Sequence, residues 1–277
     1  MNKFSLELLF QIIGIGSASG LIHKDNTLLV IGDNSGFLYE YNIESTDLNH
    51  HALIENPSAN IPKKLKPDFE AIASDENHVY VFGSGSTENR NKMVTLDRNS
   101  KKIISTSDLT NLYLSMQGFG NIKPEDFNIE GVVFTDGTWY FFQRGNGGTG
   151  KNGVFTVQSK NLEEDFTILY NEYKLPKIKG VQASFTDAVL VGGDIYFLAA
   201  AENTTSTYDD GEVLGSLIGK INPGKMKIGK TKVISETQKF EGITLFSQTK
   251  DQLTFLLCED NDTDKLESGI YKLTLEL

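Results

Sequence analysis

The chain is poor in cysteine, histidine and basic residues, and each shortage excludes a class of site. Cys258 is the only cysteine among 277 residues, so neither an intrachain disulfide nor a cysteine-based metal site can form. The four histidines lack the spacing of paired metal ligands. Lys and Arg number 26 against 37 Asp and Glu, which gives a net charge of −11. We therefore expect no nucleic-acid partner, because such binding needs a basic surface to neutralise phosphates.

Long apolar runs are also missing, and this shortage leaves two interpretations of the N-terminus. No stretch approaches the roughly 18 apolar residues of a membrane span, so we predict none. Residues 1–18 imitate a secretory signal, with a lysine, a short apolar stretch and then small residues. Alternatively, Phe4 to Ile13 is a strand of the fold, which is favoured because Glu7 and Gln11 interrupt the apolar run. The strand slightly favours a cytoplasmic protein, whereas a signal would imply secretion or the periplasm.

A short motif does recur along the chain: an acid, then Gly or Ala, then an apolar run. Its four full copies begin at Glu70, Glu130, Asp187 and Glu241, and a degenerate fifth copy has Ser19 in place of the acid. The copies are roughly 50 to 60 residues apart, which is the spacing of β-propeller blades. The repeat therefore predicts both an architecture and a place where equivalent side chains meet.

Each repeat continues with a turn, an aromatic-rich strand, a third strand and usually a fourth, and these are strand signals. We predict an all-β fold: a single five-bladed β-propeller over residues 1–277, with four-stranded blades that begin near residues 19, 70, 130, 187 and 241. The last repeat ends at its third strand, so residues 4–13 would supply the missing outer strand and close the ring. No segment shows a long 3.6-residue period, so no long helix is expected.

Three loops between the predicted strands stand out. The stretches from about Ile43 to Lys66 and from Glu202 to Gly215 are long, and they are either variable surface or carriers of ligand contacts. The Gly-rich run from Gly145 to Asn152 imitates a phosphate-binding loop, but it passes into a strand rather than a helix. We predict a hairpin loop near the channel mouth.

The repeated acids predict a cation site, because the first strand of every propeller blade lines the central channel. The predicted ligands, one per blade, are Ser19, Glu70, Glu130, Asp187 and Glu241. Four carboxylates at close quarters cannot all stay ionised without compensation. Oxygen-only ligands suit Ca²⁺, with Mg²⁺ as the second choice. Two alternatives stay open: structural acids that accept hydrogen bonds from neighbouring blades, and acid–base catalysis without a metal.

These motifs resemble those of the soluble calcium-activated nucleotidase (apyrase) family, whose members are five-bladed propellers with Ca²⁺ in the channel. The resemblance rests on the first repeat through Tyr41, on Trp139 to Arg144, and on Lys239 to Ile243. It implies that the five oxygen donors hold Ca²⁺. Asp33 preceded by Gly32 departs from the family's acidic pair, and Arg144 followed by Gly145 departs from its paired arginines. The same motif is also similar to bacterial phytase-like and esterase-like propellers.

The sequence therefore predicts a monomeric propeller that binds a divalent cation and hydrolyses a phosphoanhydride or phosphoester in a small anionic substrate. In this prediction the ion polarises a phosphoryl oxygen or holds the attacking water. Glu130 or Glu241 would act as the base, and Arg144 would neutralise charge. The alternative is a non-catalytic binding module whose channel ion is structural.

Overall fold

The structure is a computed structural model that describes residues 3–206, 211–260 and 265–277. Its one α-helix in these ranges is α1 (Thr110–Gly120), and 3-10 turns lie at Glu88–Arg90 and Pro124–Asp126. The strands in chain order are β1 (Phe4–Ile13), β2 (Ala18–Lys24), β3 (Thr27–Gly32), β4 (Phe37–Asn42), β5 (Leu48–Ala52), β6 (Phe69–Ser74), β7 (His78–Gly83), β8 (Lys92–Asp97), β9 (Ile103–Asp108), β10 (Ile129–Thr135), β11 (Thr138–Gln143), β12 (Asn152–Asn161), β13 (Asp165–Tyr173), β14 (Lys177–Ile178), β15 (Val181–Gln182), β16 (Ser184–Val191), β17 (Asp194–Asn203), β18 (Glu212–Asn222), β19 (Lys227–Ile228), β20 (Lys232–Ser235), β21 (Lys239–Gln248), β22 (Gln252–Asp260) and β23 (Glu267–Glu276).

The strands form five antiparallel blades, which confirms the predicted five-bladed propeller. Blade 1 is β2-β3-β4-β5, blade 2 is β6-β7-β8-β9 and blade 3 is β10-β11-β12-β13. In blade 4, β16-β17-β18 is completed by β19 and β20, which both pair with β18. The innermost strands β2, β6, β10, β16 and β21 contact one another in a closed circle. Because every blade starts at the axis, its first residues surround the central channel.

Blade 5 closes the ring by combining the two ends of the chain, as predicted. Strand β1 pairs antiparallel with β23, from Phe4 opposite Leu275 to Ile13 opposite Glu267. The order of the sheet is β21-β22-β23-β1. The N-terminal strand thus covers the edge of β23 that would otherwise lack a hydrogen-bonded neighbour.

Five hydrophobic clusters hold the blades together, one at each blade-to-blade interface. The aromatic second strands supply much of each cluster, because alternate residues of a strand face opposite sides of its sheet. Trp139 on β11 is 6% exposed and stacks edge-on against Tyr80 and Phe82 of blade 2. The only tryptophan is therefore part of the packing between blades 2 and 3.

Two elements were not expected from the sequence. Helix α1 follows blade 2 and buries Leu112, Tyr113 and Met116 in the cluster between blades 2 and 3. Its 11 residues are too few to show a sustained period. Strand β5 occupies part of the loop predicted from Ile43 to Lys66 and supplies the fourth strand of blade 1. Among the described residues, no helix combines the length and apolarity that crossing a membrane requires.

Candidate functional site

A β-bulge interrupts the innermost strand of every blade where the repeated motif lies. The bulged residues, which are skipped in the pairing with the second strand, are Ser19, Glu70, Glu130, Thr186 and Glu241. A bulge bends its strand and re-aims the side chain of the extra residue. The repeated acid of the motif is therefore the bulge residue in three of the five blades.

In the fourth copy of the motif, the bulge lies one residue before the acid that aligns with the other copies. Thr186 is the bulge residue there, and Asp187 pairs with Leu198 at the position that Gly or Ala holds in the other blades. Asp187 is buried, and its carboxylate accepts a hydrogen bond of 2.8 Å from the backbone amide of Ile243 in blade 5. Burial raises the pKa of Asp187 well above its usual value. Its carboxylate thus joins two blades and does not line the channel cavity.

The two hydroxyl bulge residues also connect blades. Ser19 donates to the carbonyl of Phe69 in blade 2 over 2.5 Å, and Thr186 donates to the carbonyl of Phe240 in blade 5 over 2.7 Å. Each acceptor directly precedes the next blade's bulge. A hydrogen bond from a hydroxyl bulge residue to the next blade therefore occurs twice, from blade 1 to blade 2 and from blade 4 to blade 5. Of the five predicted metal ligands, Glu70, Glu130 and Glu241 line one cavity, whereas Ser19 and Asp187 do not.

That cavity occupies the channel mouth and has a volume of about 300 Å³. Among the described residues, seven acidic and six basic side chains line it, and no aromatic side chain does. Both long loops line the cavity: residues 43–66 contribute Asn60 and Lys63, and residues 202–215 contribute Glu202 and Ser206. Residues 207–210 of the second loop lie outside the described residues. The Gly-rich hairpin loop contributes Asn146. The cavity can hold a small, highly polar ligand.

A second tier of mostly polar residues, five of them charged, lies next to the bulge residues, and the sequence motif did not include it. It combines the residue two positions before each bulge with the residue opposite it, which lies on the second strand or directly after it. These facing pairs are Ser17 with Asp33, Asp68 with Ser84, Asn128 with Arg144, Ser184 with Ala200, and Lys239 with Asp260. The first member is polar in every repeat. That periodic polar position was the signal that could have identified the tier.

Arg144 connects blades 3, 4 and 5. Its guanidinium lies 3.1 Å from Glu130, 2.7 Å from Glu202 and 3.3 Å from Glu241. All four side chains are at most 6% exposed. Burial lowers the pKa of Arg144, but the three carboxylates outweigh this effect and raise it. Lys239 continues the network, at 3.1 Å from both Glu241 and Asp260.

Glu130 keeps one oxygen available to the cavity. Its Oε1 accepts hydrogen bonds from the Asn128 amide over 2.5 Å and from Arg144 over 3.1 Å. Its Oε2 makes no hydrogen bond with any described residue, although the side chain lines the cavity. A carboxylate held in this way can accept a proton from a ligand or a water molecule at Oε2.

Asp33, Asp68 and Glu70 form a separate acidic cluster on the side of blades 1 and 2. One carboxylate oxygen from each lies within 4.8 Å of the other two. Lys66 contacts Asp33 and lies 2.7 Å from Asp68, and Arg90 is 2.8 Å from Asp68. Oxygens around one Ca²⁺ lie about 2.3–2.6 Å from the ion, so two of them are up to about 5 Å apart. The cluster therefore has the dimensions of a Ca²⁺ site.

Glu70 differs from the other two acids because it has no partner. The side chain is 8% exposed and lines the cavity, yet its carboxylate makes no hydrogen bond or ion pair with any described residue. Burial raises its pKa well above the usual value, and the charges of Glu130 and Asp68 raise it further. A buried carboxylate without a partner is costly. A bound cation would compensate it.

Several solved structures share the propeller fold. The glutaminyl cyclase of Myxococcus xanthus has 13% identity over 98% of this chain and 97% of its own, with a TM-score of 0.56. The PQQ-bound aldose sugar dehydrogenase of Streptomyces coelicolor has 12% identity over 99% of both chains, with a TM-score of 0.52. The Malassezia sympodialis allergen Mala s 1 has 9% identity over 95% of both chains and a TM-score of 0.52. At these identities the likeness shows the fold alone.

Sequence comparison identifies the family but not an activity. No curated protein matches the chain significantly, and the comparisons do not support the resemblance to the soluble calcium-activated nucleotidases. A family model described as a family of unknown function, DUF6929, matches residues 14–275. Since the match covers nearly the whole chain, the protein belongs to the DUF6929 family.

Proposed function

We propose that the protein binds a divalent cation, Ca²⁺ in the first place, between Asp33, Asp68 and Glu70 at the mouth of the propeller channel. The observation that carries this proposal is the buried carboxylate of Glu70, which lacks a partner and lies within 4.8 Å of two further carboxylates. Hard oxygen donors in this number favour Ca²⁺, and Mg²⁺ is the second choice. Water molecules and a ligand would complete the coordination.

The ion serves, in this proposal, to hold a small anionic substrate for hydrolysis. It would polarise a phosphoryl oxygen or orient the attacking water, and Oε2 of Glu130 would accept the proton. Glu241 is less suited to act as the base, because two cations, Arg144 and Lys239, contact its carboxylate, whereas Arg144 alone contacts that of Glu130. Arg144 contacts Glu130, Glu202 and Glu241 through one guanidinium and holds the three side chains in place. Its role is therefore to position the base.

The residues that line the cavity limit the class of compound that can be the substrate. A nucleobase is usually held by stacking on an aromatic side chain, and none of the described cavity residues is aromatic. The volume of about 300 Å³ is at the lower limit of ligand pockets. We therefore favour a small phosphorylated compound without an aromatic ring over a nucleotide.

Calorimetric titration of the chelator-treated protein with Ca²⁺ and then Mg²⁺ tests the cation site. Glu70→Gln should weaken Ca²⁺ binding at least tenfold, because it removes a charged ligand. Asp194→Asn is the matched control: Asp194 is a surface acid paired with Lys220 at 2.6 Å, and its loss should leave the affinity unchanged. No heat of binding and no shift of the melting temperature with either ion would refute the proposal.

Hydrolysis is tested separately. Release of phosphate from pyrophosphate, sugar phosphates and nucleotides is measured with Ca²⁺ and with chelator, for the wild type and for Glu130→Gln. We expect Ca²⁺-dependent turnover of a non-nucleotide substrate and a loss of kcat of at least a hundredfold in the variant. Ca²⁺ binding without turnover of any compound would favour the alternative, a non-catalytic module with a structural ion.

A further inference from the structure

The acidic cluster already contains a cation that belongs to the chain. The ammonium of Lys66 contacts Asp33 and lies 2.7 Å from Asp68, two of the three acids in the proposed Ca²⁺ site. The Lys66 side chain is only 10% exposed. An ion that bound all three acids would need the space and the oxygens that this ammonium uses. A role for Lys66 in cation binding therefore rests on the proposed function, because both concern the same site.

The local charges favour exchange of this ammonium for a divalent ion. Asp33, Asp68 and Glu70 carry three negative charges when ionised, against two positive charges from Lys66 and Arg90, so one negative charge is uncompensated. Replacing the ammonium by a monovalent ion leaves that charge uncompensated, whereas replacing it by a divalent ion neutralises the cluster. A tethered ammonium also competes at a high effective concentration. Exchange of the Lys66 ammonium for Na⁺ or K⁺ therefore does not improve the charge balance of the cluster.

The backbone around Lys66 allows the side chain to leave while the loop stays in place. The amides of Leu65 and Lys66 donate to the carbonyl of Pro62 over 2.8 and 3.0 Å. Arg90 donates to the carbonyl of Lys63 over 3.0 Å, and the amide of Ile61 donates to a carbonyl of blade 1 over 2.7 Å. These bonds do not involve the Lys66 side chain, so they can persist if the flexible side chain rotates into the cavity that it lines.

We propose that Lys66 is a built-in monovalent cation that a divalent ion displaces from Asp33 and Asp68, so that Lys66 sets the charge selectivity of the site. The residue is a specificity determinant, because it excludes monovalent ions and lowers the affinity for divalent ions. Binding of Ca²⁺ then exposes the Lys66 ammonium beside the ion, where it faces an anionic ligand.

Titration of Lys66→Met with Ca²⁺ and with K⁺ tests this competition, with Lys220→Met as the matched control. Lys220 is likewise paired with an aspartate, but on the outer surface. We expect Lys66→Met to bind Ca²⁺ at least tenfold more tightly than the wild type, to gain measurable K⁺ binding, and Lys220→Met to be unchanged. Equal Ca²⁺ affinities of Lys66→Met and the wild type would refute the competition and leave the proposed function intact. If neither protein bound Ca²⁺, the proposed function itself would fail, whereas binding by Lys66→Met alone would support the competition and refute the proposed function of the native chain.

Chemical reactivity of Lys66 gives a second readout that needs no variant. Acetylation of the folded wild-type protein with a water-soluble ester, followed by peptide mass spectrometry, reports how accessible the ammonium is. Saturating Ca²⁺ should increase the acetylation rate of Lys66 severalfold and leave that of Lys220 unchanged. Protection of Lys66 by Ca²⁺, or an unchanged rate at saturation, would contradict displacement.

Discussion

Arg144→Met should destabilise the fold, because the guanidinium compensates three buried carboxylates from three blades. Methionine keeps most of the apolar volume of the side chain but removes the contacts to Glu130, Glu202 and Glu241 at 3.1, 2.7 and 3.3 Å. Removing one partner of a buried ion pair costs about 3–5 kcal/mol, because the other charge is left uncompensated.

The remaining contacts place the expected loss at the lower end of that range. Glu241 keeps Lys239 at 3.1 Å, Glu130 keeps the Asn128 amide at 2.5 Å, and Glu202 keeps the backbone amide of Gly211 at 2.7 Å. No carboxylate loses every donor. We therefore expect a decrease of about 3 kcal/mol in the free energy of unfolding, out of the 5–15 kcal/mol that is usual for a folded protein.

Urea unfolding at pH 7 measures this loss, and the fluorescence of Trp139 reports it, because that tryptophan is buried between two blades. Arg144→Lys is the control: it restores the charge but not the planar fork that reaches three partners, so it should recover about half of the loss. Combining Arg144→Met with Glu202→Gln should also recover stability, because one uncompensated charge disappears. A decrease below about 1 kcal/mol in Arg144→Met would refute this reasoning and point to neutral, protonated glutamates.

Three further predictions concern the inner strands and the surface. Ser19→Ala and Thr186→Val should each lower the free energy of unfolding by about 1 kcal/mol in urea and leave Ca²⁺ affinity unchanged; loss of Ca²⁺ binding in the Ser19 variant would instead restore the five-residue ring predicted from the sequence. Gly131→Ala should lower the free energy of unfolding by about 1–3 kcal/mol through overpacking, since the added Cβ would lie 3.0 Å from the backbone of the next inner strand. In Gly118→Ala of α1 the added Cβ meets nothing within 4 Å, so this control should raise the free energy of unfolding by up to about 1 kcal/mol. Equal effects of the two substitutions would contradict the close approach at Gly131. Burial opposes ionisation of Asp75, but hydrogen bonds from a tyrosine hydroxyl and two backbone amides lower its pKa to about 2. Asp75→Asn should therefore lose about 1 kcal/mol of stability at any pH above the unfolded pKa of about 3.9, and this loss should disappear as the pH falls through about 2. A difference in urea midpoint between variant and wild type that persists at lower pH would contradict this.

The sequence predicted the number of blades because the signals that define a blade are local. An acid, a small residue and an apolar run recur in four repeats, with Ser19 in place of the acid in the first, and a small residue such as Gly131 lets its strand approach the inner strand of Asp187 closely. The closing strand was also predictable, since the last repeat lacked an outer strand and Phe4 to Ile13 was unassigned. Helix α1 was missed, because its stability comes from burial between two blades rather than from a long periodic pattern.

The charges of the site were harder to predict, because their positions depend on hydrogen-bond register rather than on residue type. In blade 4 the acid lies one residue after the bulge, and this shift turns Asp187 from the cavity to an amide of blade 5. In blade 4 the carboxylate that lines the cavity is that of Glu202, near the end of β17, and it lies 2.7 Å from Arg144.

The asymmetry of blade 4 has a consequence for the cation site. With Thr186 and Asp187 bonded to blade 5, no ring of five equivalent donors surrounds the axis. Each carboxylate that lines the cavity from blades 3 to 5 has Arg144 or Lys239 as a basic partner. Among the described bulge residues that carry a carboxylate (Glu70, Glu130 and Glu241), Glu70 on blade 2 is the one without a basic partner. We therefore expect a divalent ion to bind off the axis, beside blades 1 and 2, where Glu70 lacks a basic partner, and to leave Oε2 of Glu130 on the adjacent blade 3 available to the ligand.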